Sequence, residues 1–330
     1  MARQILHTLL FSTFVYLATA IPTTTTYTQL SDINTRLPIH LPNPTLKERG
    51  TTINFLADPS SFRPYAYYAS SAYCKPETIK DWSCGANCEQ NQYFTVSAQG
   101  GDGDGTRYWY VGYDPALNNV IVGRQGTDPK SMMTLIDTAN SGLTSLDSSL
   151  FPRDTFPATM QVHKKIADEH ARTIMPIYIA VVNLVVKYMD KHPSVTLLGH
   201  SQGAALALLD AVFMVSHLPD WVFLQYVGYG QPRVGNQEFA NYVDNYLFMV
   251  SNNGYWRITN KKDPIPVNPP ISLGYHQTSG ELHIEQDGQW GWCPGQDYND
   301  TLCSVGAVPS NSDGVLDDSY GPYANVTIGC

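Results

Sequence analysis

Residues 195–209 read VTLLGHSQGAALALL, and this stretch decides the fold. Val195–Leu198 reads as a buried strand and Ala204–His217 as a helix. Ser201 stands between them, with glycine two positions before and two after. A serine in that setting sits on a sharp strand-to-helix turn, with its hydroxyl presented at the top of a sheet. Gly199 and Gly203 are needed because so tight a turn leaves no room for side chains. The free N–H groups at the helix start would meet a developing negative charge. His200 is expected to point away from Ser201 and pack under the turn. A serine hydroxyl is nearly inert at neutral pH without a base, so the residue that takes the Ser201 proton has to be found.

Outward from this turn, strands and helices alternate. Tyr108–Tyr113 and Val120–Val122 read as strands around a turn at Asp114-Pro115 and Asn118-Asn119. Apolar residues recur at helical spacing from Gln161 to Lys191, with Pro176 an expected kink or break. Further strands are expected at Trp221–Tyr229 and Tyr255–Thr259. The class is α/β: a central, mostly parallel sheet with helices on both faces. The DGDG at 102–105 lacks the remaining ligand spacing of a calcium loop, so a hairpin turn is expected there.

The 330 residues carry a formal net charge of −9 and no basic run, which argues against nucleic acid or an anionic membrane as partner. Residues 1–20 combine Arg3, an apolar stretch and an A-x-A ending, and read as a signal peptide, so the mature chain is expected to be secreted. Residues 21–57 read as an N-terminal strap or pro-segment, and 58–330 as a single domain. No later segment reads as a membrane span, since the most apolar stretch, 179–189, is short and broken by Asn183 and Lys187. Six cysteines suggest three disulfides, with the pairing open from sequence alone. Cys84 with Cys88 and Cys293 with Cys303 would make local clips, leaving Cys74 for Cys330. The spacing does not suit zinc, and no metal or cofactor is expected. Asn299 and Asn325 stand in glycosylation sequons.

The backbone N–H of Gln202 is the expected first oxyanion donor. RQGTDP (124–129) follows an early strand and offers a second in Thr127, through its N–H or O–H. At this point the chain resembles the fungal class 3 lipases. The matching pieces are QGTDP (125–129), VH (162–163), GHSQG (199–203), GYGQPRVGN (228–236), RITNKKDPIPVNPP (257–270), GYHQTSGELHI (274–284) and GPY (321–323). The resemblance implies a disulfide-stapled α/β-hydrolase fold and a first-to-last cysteine bond. Two departures stand out: Lys164-Lys165-Ile166 where the family commonly has Gly-Phe shortly after Val-His, and Gln202 where it commonly has leucine. Neither is expected to touch the chemistry directly.

Asp263 matches the family's triad acid, and Pro264 and Pro266 stiffen the turn that aims it. The base should be a histidine near the C-terminus, in the order Ser, Asp, His. The tail VLDDSYGPYANVTIGC has none, and Ser319 falls where the resemblance places it, with Tyr320 the alternative if the register slips by one. His276 is the fallback base and His283 a weaker one, both in a segment that resembles a family strand region. His163, His170, His192 and His217 have no motif support, and Asp317 and Asp318 are weak bases for an alcohol.

Two readings follow. One is a secreted serine ester hydrolase acting on acylglycerols at a lipid interface, strongly reduced in activity, with a feruloyl-type esterase as a variant. The other is an inactive lipid- or ester-binding protein on the same scaffold. The apolar residues of 128–151 suit either a lid or a helix packed on the core. A monomer is expected.

Overall fold

The computed structural model describes residues 48–49, 52–54, 59–127, 142–248 and 254–330. The signal-peptide reading of 1–20, most of 21–57 and the lid reading over 128–141 lie outside them. In chain order the strands are β1 (Glu48–Arg49), β2 (Thr52–Asn54), β3 (Thr95–Gly100), β4 (Trp109–Asp114), β5 (Asn119–Arg124), β6 (Leu143–Ser145), β7 (Gln161–His163), β8 (Ser194–His200), β9 (Leu224–Tyr229), β10 (Tyr255–Asn260), β11 (Glu281–Ile284) and β12 (Trp290–Cys293). The longer helices are α1 (Arg63–Ser71), α2 (Lys164–Lys187), α3 (Gln202–Val215) and α4 (Gln237–Val243).

Ten of the strands form one sheet in the order β1-β2-β12-β11-β10-β9-β8-β5-β4-β3. Its centre, β5, β8, β9, β10 and β11, is parallel, and both flanks are antiparallel. Every residue of β8 is buried, as a strand covered by helices on both sides requires. Side-chain alternation sorts the two faces. Val111, Val122 and Leu197 join the core with α2 and α3. Tyr110 faces the other way, its hydroxyl donating to the Tyr68 carbonyl of α1 at 2.6 Å. Residues 203–214 of α3 are buried all round, so this helix is sandwiched between the sheet and α2 rather than lying on a surface.

Several expectations shift. Helix α2 runs unbroken through Pro176, which is exposed; the carbonyl that its missing N–H leaves free belongs to exposed Arg172 and can be hydrated. The strand expected at 221–229 begins only at Leu224. The sheet reaches into the stretch read as a strap, because β2 pairs with β12. Leu143–Ser145, expected as lid or helix, pairs with β7 as a strand, while Leu146 and Leu150 pack on the core. The 102–105 loop links the antiparallel β3 and β4; Asp102 Oδ1 accepts the Asp104 and Thr106 N–H groups at 2.9 and 2.8 Å. The three disulfides are Cys74–Cys330, Cys84–Cys88 and Cys293–Cys303, the pairing in which two local clips leave the outer cysteines to each other.

Candidate active site

Ser201 links β8 to α3 with φ 56° and ψ −125°, a conformation that non-glycine residues rarely adopt. The flanking glycines are required by contact. A Cβ on Gly199 would lie 2.4 Å from the Gly203 carbonyl carbon, and one on Gly203 would lie 2.3 Å from the Arg124 carbonyl oxygen. Both clashes are with backbone, so no side-chain motion relieves them. Ser201 N–H donates to the Tyr229 carbonyl at 2.8 Å, which pins the turn to β9. Ser201 is fully buried.

Strand β5 delivers the segment expected to hold the oxyanion beside this turn. Its last residue, Arg124, is fully buried and grips Asp210 of α3 through Nε and Nη2, both at 2.7 Å, while Nη1 donates to Thr173 of α2 at 2.9 Å. This paired charge ties the segment to the helix that starts at Gln202. Two bonds at Tyr108 hold the next residue, Gln125: its N–H donates to the Tyr108 carbonyl at 2.8 Å, and its Oε1 accepts the Tyr108 N–H at 3.0 Å. Thr127 is buried, and its hydroxyl donates to Gln202 Oε1 at 2.9 Å. Gln202 was expected to leave the chemistry untouched. Its amide instead bonds the side chain of Thr127, a contact that leucine cannot make.

Asp263 follows β10 and is buried. Its Oδ1 accepts the Ile265 N–H at 2.9 Å and the Ser319 hydroxyl at 2.5 Å. Burial pushes its carboxyl up to about 7 and the Asp318 charge adds to this, while the bonds from Ser319, Ile265 and Tyr323 oppose it. Ser319 is itself fully buried, and its carbonyl is held by His200 Nε2 at 2.7 Å and the Tyr323 hydroxyl at 3.2 Å. With Nε2 donating there, His200 Nδ1 accepts from the Tyr73 hydroxyl at 2.7 Å. Burial holds this imidazole down at about 4, with the Ser319 carbonyl opposing, so it stays neutral at physiological pH. The residue before Ser201 thus fixes the backbone of Ser319, and Ser319 bonds Asp263.

Among the described residues no histidine bonds Asp263. His276 Nδ1 lies 3.6 Å from Asp297 Oδ2, and His283 Nδ1 lies 2.8 Å from Thr259 Oγ1 on the neighbouring strand. His170 is buried 3.5 Å from Asp210. His163, with Ile166, Gln202, Ala205, Ile265 and Pro269, lines a mostly apolar pocket beside the turn. Among the described residues no three His, Cys, Asp or Glu side chains gather as a metal site would require, and no helix is long and apolar enough to cross a membrane.

Known proteins share this arrangement of elements. The family profile Lipase (class 3) matches residues 125–273. The secreted mono- and diacylglycerol lipase MDL4 of Malassezia globosa is 30% identical over 248 residues, covering 69% of this chain and 74% of its own. The chain belongs to the class 3 lipase family. A second relative from that fungus, secreted mono- and diacylglycerol lipase MDL2, is 29% identical over 239 residues with the same coverage, 69% and 74%. The chain spans 60% to 66% of the length of further relatives from Malassezia restricta. The Lip2 lipase of Yarrowia lipolytica superposes with a TM-score of 0.73 at 24% identity, over 86% of this chain and 98% of that one, and so shares the α/β-hydrolase fold.

Sequence reasoning gave no role to three residues of this candidate site. Tyr73 reaches it from a remote segment that no local pattern marks, and Tyr323 was quoted only as part of GPY (321–323). Glu169, on α2, accepts the Gln202 Nε2–H through Oε2 at 3.1 Å and the Arg107 N–H through Oε1 at 2.6 Å. The departure at position 202 was the one signal that pointed toward Glu169.

Proposed function

We propose that the chain is a secreted, lipase-type serine ester hydrolase that takes mono- or diacylglycerols and turns over slowly because its base position holds Ser319. Ser201 is the nucleophile, the main-chain N–H groups of Thr127 and Gln202 receive the oxyanion, and Asp263 is the acid. The observation that carries this reading is the bond from the Ser319 hydroxyl to Asp263 Oδ1. In a complete triad the carboxylate accepts an imidazole N–H, whose other nitrogen takes the serine proton. A serine hydroxyl supplies the first of these contacts and not the second. Loss of the histidine alone lowers turnover by about 10⁶ in such enzymes, with about 10³ to 10⁴ over water surviving from oxyanion stabilisation and binding.

The substrate class follows the printed names of the relatives. Export is supported by the N-terminal apolar stretch, the three disulfides and the relatives' secreted naming. Asn299 and Asn325 are exposed and open to glycosylation. The lack of a histidine at position 319 favours a second reading, a binding protein that retains the pocket without turnover. Release of fatty acid from monoolein, diolein and triolein, and of ferulate from methyl ferulate, tests both. Slow release from the first two that is absent in Ser201→Ala supports the hydrolase. Equal rates in both proteins favour the binding reading, and a preference for methyl ferulate overturns the substrate class.

A further inference from the structure

Gln202, Glu169 and Arg107 form one hydrogen-bonded path that ends at the oxyanion segment, and the path has a direction. The Arg107 backbone N–H can only donate, and it points at Glu169 Oε1 at 2.6 Å. The carboxylate of Glu169 can only accept, so its Oε2 obliges Gln202 to turn its NH₂ group inward, at 3.1 Å. Gln202 is then left with Oε1 facing Thr127, and the Thr127 hydroxyl must donate to it, at 2.9 Å. The loop before β4 anchors the outer end: Arg172 Nη2 donates to the Gly105 carbonyl at 3.1 Å and Arg107 Nη1 to the Gly103 carbonyl at 2.8 Å. Glu169 is buried, so water does not compete for these bonds.

We infer that Glu169 is a positioning residue for the oxyanion hole: its carboxylate fixes the Gln202 amide so that the Thr127 hydroxyl proton is committed to Gln202, and the oxyanion meets main-chain N–H groups alone. This rests on the reading of Thr127 and Gln202 as oxyanion donors. Replacing the charge by an amide reverses the path. In Glu169→Gln the Arg107 N–H keeps the new carbonyl oxygen where Oε1 was, so the new NH₂ faces Gln202. The Gln202 amide must then turn over and donate to the Thr127 oxygen, which frees the hydroxyl proton for a negative oxygen above Ser201.

The test is equilibrium binding of butylboronic acid, which forms a tetrahedral adduct with a nucleophilic serine. Adduct formation makes the Ser201 Oγ–B bond and releases the serine proton, which goes to solvent because Ser319 cannot hold it, so all proteins are compared at one alkaline pH where that release is favourable. Wild type, Ser201→Ala, Glu169→Gln, Thr127→Val and the Glu169→Gln/Thr127→Val double variant are compared, each with its thermal midpoint recorded. The expected result is about tenfold tighter binding in Glu169→Gln, the size of one added hydrogen bond to a charged oxygen. Adding Thr127→Val should remove the whole gain, bringing the double variant to the affinity of Thr127→Val alone. Unchanged or weaker binding in a folded Glu169→Gln protein, or a Thr127→Val loss of equal size in both backgrounds, overturns the inference and leaves Glu169 a structural residue. No adduct in wild type beyond that of Ser201→Ala removes the Ser201 reading, and this inference with it.

Discussion

At Asp263 the burial that positions the carboxylate also opposes its ionisation. Its folded value of about 7 lies above an unfolded value near 4, so its contribution to stability is full below about pH 4 and is lost as pH rises through 7. His200 runs the opposite way. Held at about 4 against an unfolded value near 6.5, it contributes fully above about pH 6.5 and loses that as pH falls through 4. The two slopes offset each other in the mildly acid range, and Asp263 stands alone above it. Asp263→Asn keeps the acceptor for Ser319 and Ile265 and removes the charge. Its stability advantage over wild type should therefore grow by about 2 kcal/mol between pH 5 and pH 8. Thermal midpoints at the two values check this, and a difference that does not move with pH contradicts it. A histidine at 319, once protonated, would hold Asp263 ionised, and the serine present cannot.

The elbow between β8 and α3 was legible because everything it needs is local: an apolar run, two glycines at fixed spacing, and an alanine-leucine helix. Asp263, the proposed acid, was singled out from its proline-stiffened turn for the same reason. Strand β12 was not legible, and β11 was legible only through a resemblance to a family strand region, since ELHI and WGWC carry polar or small residues whose burial depends on partners elsewhere. Glu281, for example, takes the Thr259 hydroxyl at 2.7 Å and the Ser304 N–H at 3.1 Å. Helix α2 shows the same limit, because Glu169, His170 and Thr173 are buried polar residues that periodicity alone would leave in solvent. The elbow's strain is open to measurement. Ser201→Gly relieves the positive φ, whereas Ser201→Ala retains it. The glycine variant should be the more stable of the two by about 1 kcal/mol despite its greater unfolded-state entropy. Denaturant midpoints that favour the alanine variant would show the turn to be unstrained.

For the molecule as a whole, the tail that carries Ser319 and Tyr323 is secured to the start of the domain. Cys74–Cys330 closes a loop of 256 residues, and Ser70 and Asn87 grip the Gly329 carbonyl, each at 2.8 Å. Replacing both Cys74 and Cys330 by serine should cost about 5 kcal/mol by loop entropy, against about 2 kcal/mol for the four-residue separation of Cys84–Cys88. Equal losses in chemical denaturation would rule that account out. The fold tolerates wide divergence, as the superposition at 24% identity demonstrates, whereas the proposed chemistry turns on one position in the tail. The most direct test is the hydrolysis of p-nitrophenyl butyrate by wild type and Ser319→His, with thermal midpoints confirming that both are folded. A gain of at least about 10³ in kcat, abolished by adding Ser201→Ala, is the predicted result. No gain in a folded Ser319→His protein, beside a wild type already fast and with a histidine-like pH inflection, would place the base elsewhere and contradict the account.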